Sequence, residues 1–180
     1  MGTVSGSEAL VVRAGEVGVG MHASFEQTDY TPEVFARPWL AAGALFVREE
    51  SVFLVHKTYG DDWDIPGGFV DVSEAPVEAC RREIAQELGI ARVPRRLLVC
   101  DWSPHDGTDR LLFVFDCGEL GDESAVVLQD SELDRWEWVP IAALEDYVAP
   151  RLAIRLQRAY AAYREGGTEY LERGEPVPAD

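Results

Sequence analysis

The sequence predicts a mixed α/β domain, and the order of its apolar segments supports that prediction. Short strand-like runs recur between about residues 39 and 139, and an amphipathic helical segment interrupts them at residues 75–88. A second helical segment follows from about Pro150. Strands and helices that alternate along a chain favour a sheet covered by helices. The 180 residues, 47% of them hydrophobic, are enough for one domain with its own core.

The first strands of this domain have the pattern of a hairpin. The runs LAAGALFV and SVFLVHK are strand-like, and the charged REE between them is typical of a turn. The loop YGDDWDIPGG follows, with a short strand near its end. Residues 1–37 precede the hairpin and have a mixed pattern. They are compatible with an N-terminal arm, an extra strand or a dimerisation segment.

Residues 75–88 show the apolar period of a helix. Pro76 fits the first turn of such a helix, and Gly89 fits the position just past its end. The residues that recur at helical spacing, and are therefore expected on one buried face, are Val77, Cys80, Ile84 and Leu88.

The remaining segments complete the α/β pattern. RRLLVCDW and RLLFVFDC are predicted to be buried strands, and after a long acidic loop come a strand at RWEWVP and a short helix at IAALEDY. The last helix is expected to end at the glycine pair 166–167, leaving residues 168–180 as a surface tail. The predicted organisation is an arm at 1–37, a domain at 38–148, and a C-terminal helix and tail at 149–180.

Charge and composition restrict the classes of function. The net charge of −17 repels a phosphate backbone and argues against general DNA or RNA binding. It fits a site that uses a cation, although an acidic soluble surface explains most of it. The longest apolar run, residues 39–47, is too short to span a bilayer, and the N-terminus has no secretory pattern, so we expect a cytoplasmic protein. Three cysteines without a CxxC spacing indicate buried, reduced thiols.

Two glutamates of the predicted helix form the first candidate site. Glu83 and Glu87 are four residues apart, so their carboxylates project from one helical face, roughly opposite the apolar face. A hard divalent cation relieves the repulsion between two such carboxylates, and magnesium prefers oxygen ligands of this kind. An isolated pair of this spacing is more often solvated surface charge. The neighbouring residues decide between these interpretations.

The stretch Gly68–Ile90 resembles the Nudix box, whose usual form is G-x5-E-x7-R-E-U-x-E-E-x-G-U, where U is aliphatic. Gln86 departs from this pattern because it replaces the first acid of the paired glutamates. WDIPGG, just before the box, is also usual in this family. So many positions at fixed spacing are far more specific than a lone glycine motif. The matching positions are Gly68, Glu74, Arg82, Glu83, Ile84, Glu87, Gly89 and Ile90.

The resemblance implies a Nudix fold, an α/β/α sandwich around a mixed sheet. It also implies hydrolysis of a diphosphate linked to another moiety, often a nucleoside, with magnesium as cofactor and manganese as its substitute. Glu83 and Glu87 would be the metal ligands. Arg82 and Glu74 would orient the loop and the helix, and Gly68 would serve the turn.

Residues outside the box supply weaker candidates. Glu132 lies in the loop before RWEWVP, where many family members carry a glutamate that acts as base or extra metal ligand. It is equally compatible with a solvating role. Lys57 and Arg110 could hold phosphate, and an exposed aromatic ring could stack on a base, but strand-end cations are usually surface charge and such aromatics are usually core. The stacking candidates are Tyr59, Trp63 and Trp102.

Three functions remain open on these residues. The first is a metal-dependent diphosphate hydrolase with a small-molecule substrate, no nucleic acid polymer or membrane as partner, and a possible homodimer. The second is a catalytically weak or inactive ligand-binding or regulatory module of the same fold, which the Gln86 departure favours. The third is a prenyl diphosphate isomerase, although no cysteine stands where its catalytic acid is expected. The amide oxygen of Gln86 can still coordinate a cation weakly or hydrogen-bond a metal-bound water, but it supplies no negative charge. A working enzyme should therefore bind fewer metal ions tightly and need a higher metal concentration for activity.

Overall fold

A nine-stranded mixed sheet organises the chain in the computed structural model, which describes residues 35–177. Two α-helices, α1 (Pro76–Leu88) and α2 (Pro150–Glu165), pack on it, and residues 36–177 belong to one compact unit. The predicted arm at 1–37 lies outside the described residues except for its last three. The strands are β1 (Trp39–Arg48), β2 (Ser51–Lys57), β3 (Trp63–Asp64), β4 (Gly67–Phe69), β5 (Leu97–Trp102), β6 (Arg110–Gly118), β7 (Leu133–Pro140), β8 (Glu169–Glu172) and β9 (Glu175–Pro176).

Strand β1 is the centre of the sheet. It pairs in parallel with β6, and antiparallel with β4 near its start and with β2 at its end. Strand β2 also pairs with β3 and β7, and β5 pairs with β6 on one side and β8 on the other. β1 and β6 are neighbours although some 60 residues separate them in sequence. Because β4 also pairs with β1, this long-range pairing places β4 and β6 on either side of the same strand.

Consecutive residues of β1 belong to two different apolar clusters, because side chains of a strand alternate between its faces. Leu45 and Val47 pack in the cluster that includes Leu156 of α2, whereas Phe46 packs in the cluster that includes Ile84 of α1. The sheet is therefore covered on both faces, and the predicted α/β/α sandwich is confirmed.

Helix α1 has nearly the bounds that the apolar spacing predicted. Pro76 occupies its first turn, and Gly89 ends it in the left-handed conformation at φ 66°. The expected apolar face is wrong at one position, since Val77 is 40% exposed. Ala79 is buried instead.

The prediction of a surface tail at 168–180 is wrong for residues 169–176. Strand β8 pairs in parallel with β5 and extends the central sheet, and β9 returns antiparallel to β8. The turn between them uses Gly174 at φ 87°. The sequence hides this strand because Leu171 is its one fully buried residue and its remaining side chains are polar or partly exposed.

The expectation of buried thiols is met at two of the three cysteines. Cys80 and Cys117 are buried free thiols, whereas Cys100 is only partly buried. No helix within residues 35–177 is long and apolar enough to cross a membrane.

A buried ion pair between Arg155 and Asp101 connects α2 to the sheet. The carboxylate of Asp101, on β5, accepts hydrogen bonds from Arg155 Nε at 2.7 Å and from the backbone N–H of Gly174 at 3.1 Å. Arg155 also donates to the hydroxyl of Ser103 at 3.2 Å. Asp101 is fully buried, so its charge depends on these partners for compensation.

We expect Asp101→Asn to lower the free energy of unfolding by about 3 kcal/mol, because it leaves the Arg155 charge buried without its counterion. Chemical denaturation measures this loss. Asp101→Asn combined with Arg155→Met should be more stable than Asp101→Asn alone, since the second change removes the stranded charge. A single variant within about 1 kcal/mol of wild type would contradict a structural role for the pair.

Candidate active site

The carboxylates of α1 face the glycine-rich strand β4. Buried contacts fix the rotation of the helix, with Cys80, Ile84 and Leu88 packed against the sheet. This rotation directs Glu83 and Glu87 towards β4, which itself is held by antiparallel pairing with β1. The candidate ligands are therefore placed between two rigid elements.

Glu87 is buried, with only 6% of its surface exposed, although its helical face was expected to lie roughly opposite the apolar one. Its Oε2 accepts a hydrogen bond from the backbone N–H of Gly67 at 2.8 Å. Burial raises the pKa of Glu87 to about 8, although the Gly67 N–H works in the opposite direction. The carboxylates of Glu83, Asp64 and Glu132 raise it further. Negative charge is thus concentrated around a buried carboxylate.

The glycine pair of β4 permits this close approach. A Cβ on Gly68 would lie 2.6 Å from Cδ of Glu83, and a Cβ on Gly67 would lie 2.7 Å from Cα of Gly43 on β1. Any larger residue at position 68 would displace the Glu83 carboxylate, and one at position 67 would separate β4 from β1. Glycine is therefore required at position 67 by the contact with β1 and at position 68 by the contact with Glu83.

Arg82 connects the loop after β4 to the helix. Its Nε and Nη2 donate to the two oxygens of Glu74, each at 2.9 Å, and Nη2 also donates to the carbonyl of Phe69 at 2.9 Å. Its Nη1 donates to Glu83 at 2.6 Å. The hydrogen bonds from Arg82 hold the pKa of Glu74 below its ordinary value. Arg82 and Glu74 therefore fix the loop and one candidate ligand together.

Gln86 lies on the exposed side of this group. Its Oε1 accepts a hydrogen bond from Arg82 Nη1 at 3.2 Å, and the residue also lines the cavity that contains Glu83 and Glu87. Its amide oxygen thus already has a cationic partner within the protein. A metal or a metal-bound water would have to compete with Arg82 for it.

Glu132 reaches the same cavity from the loop before β7. The backbone of this loop is tied to the end of α1, since Gln129 N–H donates to the carbonyl of Glu87 at 3.0 Å. The carbonyl of Glu132 accepts from Thr58 N–H at 2.8 Å. Its exposed carboxylate accepts from Gln129 Nε2 at 3.1 Å. Glu132 is therefore held beside Glu83 and Glu87 although 45 residues separate it from Glu87.

These side chains surround one cavity of about 890 Å³. Its charged lining includes two residues that sequence reasoning did not select, Asp64 and Arg155. Asp64 belongs to the WDIPGG segment and accepts from Lys57 Nζ at 2.7 Å. Burial opposes the charged form of Lys57, but the Asp64 carboxylate outweighs it and raises the Lys57 pKa. The position of Asp64 immediately before IPGG was the signal that could have identified it.

The weaker candidates are divided by the structure. Tyr59 is 73% exposed and lines the cavity, as do Lys57 and Arg110. Trp63 instead packs edge-on against His56 and Tyr147, with ring centroids 5.1 and 5.5 Å apart. Trp102 lies half-buried on β5 and is not among the residues that line the cavity.

The carboxylates of the cavity fit a divalent cation for which the protein would supply only some of the ligands. Within residues 35–177, no three histidine, cysteine or acidic side chains converge closely enough to hold a metal ion by themselves. Glu83 and Glu87 supply carboxylate oxygens, and burial, together with the neighbouring carboxylates, raises the pKa of Glu87. Magnesium is commonly bound by one or two carboxylates, with water and substrate phosphates completing its shell. The residues present therefore fit such an ion.

Comparison with known proteins agrees with this geometry. An RNA pyrophosphohydrolase from Brucella anthropi is 28% identical over 121 residues, which cover 57% of this chain and 70% of the relative. One from Rhizobium meliloti is 28% identical over 120 residues, covering 56% and 72%.

Solved structures of similar fold have lower sequence identity. A UDP-X diphosphatase superposes with a TM-score of 0.65 at 23% identity, covering 79% of this chain and 70% of its own. A MutT protein from Methanosarcina mazei Go1 gives 0.58 at 22% identity, covering 73% and 96%. The family model described as the NUDIX domain matches residues 37–163, which include all of β1 to β7, α1 and most of α2. The chain therefore belongs to the Nudix family of hydrolases, which act on diphosphate-linked substrates.

Proposed function

We propose that this protein is a divalent-metal-dependent hydrolase that cleaves a diphosphate linked to a nucleoside or a similar small moiety. The observation that carries the proposal is the convergence of Glu83, Glu87 and Glu132 in one cavity, with Glu87 buried. A buried carboxylate surrounded by others is unfavourable unless a cation compensates it. Magnesium is the expected ion, and manganese its substitute.

Glu83 and Glu87 would hold the ion, which supplies neutralisation of phosphate charge and a more acidic water. Glu132 would accept a proton from the attacking water. The new bond forms between the water oxygen and phosphorus, and the bond from phosphorus to the bridging oxygen breaks, so that the leaving group departs as a phosphate. Arg82 and Glu74 keep the loop and Glu83 in position during this reaction.

The second candidate function is a binding module with little or no turnover. The hydrogen bond between Gln86 and Arg82 favours it, because the position that usually carries an acid here has no charge and is engaged within the protein. Glu83 and Glu87 nevertheless retain a minimal pair of ligands, so the hydrolase is the better supported of the two. The possible homodimer and the cytoplasmic location stay predictions.

A substrate panel with magnesium and manganese separates these functions, read by phosphate and nucleotide release. It should include ADP-ribose, UDP-sugars, dinucleoside polyphosphates and an RNA with a 5′-triphosphate, since the curated relatives are named RNA pyrophosphohydrolase. The net charge of −17 favours the small substrates over the RNA. Tight binding without product release across the panel would support the binding module instead.

We expect Glu87→Gln to reduce turnover at least about a hundredfold, because it removes a candidate metal ligand. Gln can still accept from Gly67 N–H, and one buried charge is lost, so the metal-free variant should unfold at an equal or higher temperature. Thermal unfolding with magnesium and with EDTA should show a metal-dependent stabilisation in wild type that the variant lacks. Glu145→Gln, an exposed site outside the cavity, is the control. Near-wild-type hydrolysis in Glu87→Gln would exclude the proposed metal site.

We expect Glu132→Gln to lower kcat more than it raises KM, because a base acts in the transition state rather than in substrate binding. Its pH–rate profile should lose the limb that reports the base. Steady-state kinetics across pH measures both effects. An unchanged profile would assign the base to another carboxylate of the cavity.

We expect Gln86→Glu to bind magnesium or manganese more tightly and to reach full rate at lower metal concentration, since it adds one negative charge to the cavity. Arg82 would be drawn to the new carboxylate and reduce the gain, so the effect should be modest, about tenfold or less. A metal titration of activity measures it. Equal or weaker metal affinity would mean that position 86 does not face the ion.

A further inference from the structure

Arg110 differs from the other cations that line the active-site cavity. Lys57 is paired with Asp64 at 2.7 Å, and Arg155 with Asp101 at 2.6 Å. Arg110 forms no ion pair within residues 35–177, and its Nε is buried without a hydrogen-bond partner among them. Buried donors in native proteins are normally satisfied. Arg92 Nε is the other buried side-chain donor without a partner within residues 35–177, but Arg92 donates to the carbonyl of Leu120 and lies outside the cavity lining. The guanidinium of Arg110 is therefore available to a ligand in the cavity.

Arg110 lies at the start of β6, away from the carboxylates. It shares one strand face with Leu112 and Val114, and all three line the cavity. Its pairing partner on β1 is Trp39, three residues before Ala42, which pairs with Gly68. With about 3.3 Å per residue and about 4.8 Å between strands, the backbones of Gly68 and Arg110 are roughly 14 Å apart. The cavity therefore has an acidic end and a cationic end, separated by an apolar floor.

We propose that Arg110 binds a second phosphate, carried by the organic moiety of the substrate and separate from the diphosphate that is cleaved. This rests on the proposed function, and it restricts the substrate to nucleoside diphosphate derivatives with a further phosphate. The planar guanidinium can donate two parallel hydrogen bonds to phosphate oxygens, so arginine suits the recognition of a phosphate at this position. In a chain of net charge −17, an unpaired cation inside a substrate cavity is the position where an anion gains most.

The same contact orients the substrate. A phosphate at Arg110 keeps the second anion away from Glu83, Glu87 and Glu132, and the apolar floor then accommodates the sugar and base. Two chemical sources supply such a group, a monophosphate on the ribose and the phosphodiester of a following nucleotide. Separate substrates distinguish them.

Calorimetric binding tests the contact without turnover. Adenosine 3′,5′-bisphosphate and AMP are compared in magnesium, where neither carries a diphosphate to be cleaved. Wild type should prefer the bisphosphate roughly tenfold. Arg110→Gln should lose this preference, and Arg110→Lys should keep part of it. Arg151→Gln removes the same charge from an exposed site next to the cavity residue Leu152, and it should keep the full preference.

Equal binding of the two nucleotides by wild type would overturn the proposal, as would an unchanged preference in Arg110→Gln. Kinetics gives the second readout, with ADP, its 3′-phosphate, and a dinucleotide that carries a 5′-diphosphate. Arg110→Gln should raise KM for the two substrates with a second phosphate roughly tenfold more than it raises KM for ADP. The substrate with the larger increase identifies the source of the phosphate. If wild type cleaves none of the panel, the proposed hydrolysis fails, and the binding preference alone then decides the role of Arg110.

Discussion

The hydrogen bond from the backbone of Gly67 to Glu87 is the contact on which the candidate site depends. It requires that β4 lie close to both α1 and β1, which is possible because glycine at position 68 leaves room for the Glu83 carboxylate and glycine at position 67 leaves room for the backbone of β1. The buried face of α1 determines which residues point at β4, and the pairing of β4 with β1 determines its distance. Chemistry and folding are thus coupled through one close approach of backbone to carboxylate.

The cost of that arrangement is concentrated negative charge in a partly buried place. Glu87 is ionised only against burial and against its neighbours, and Arg82 compensates Glu83 rather than Glu87. A protein that needed only a stable helix would not place a carboxylate there, since an apolar residue would pack at lower cost. A cation held by Glu83 and Glu87 would favour the ionised form of Glu87 and offset this cost.

Charge is distributed unevenly along the cavity. Carboxylates from α1 and from the loop before β7 surround one end, whereas Arg110 on β6 and Arg155 on α2 lie among the residues of the other. Asp101 neutralises Arg155 and at the same time anchors α2 to β5, so one ion pair supports both the fold and the cavity wall. An extended substrate would match this distribution better than a compact one, with a cation-bound diphosphate at the carboxylate end and a second anionic group at the arginine end.

The sequence by itself determined most of the elements and the residues of the box. Pro76, Gly89 and the apolar spacing specify α1 because helix ends and helix faces are local properties of the chain. The fixed spacing around Glu83 and Glu87 identified the family for the same reason.

Tertiary structure alone decided the burial of Glu87, the strand at β8 and the isolation of Arg110. Helical periodicity shows which residues share a face of α1. It does not show that the glycine backbone of β4 covers the face that carries Glu83 and Glu87. Strand β8 forms through backbone pairing with β5, which leaves almost no side-chain pattern. Whether Arg110 has a partner depends on strands and helices far from it in sequence, so only their packing reveals it.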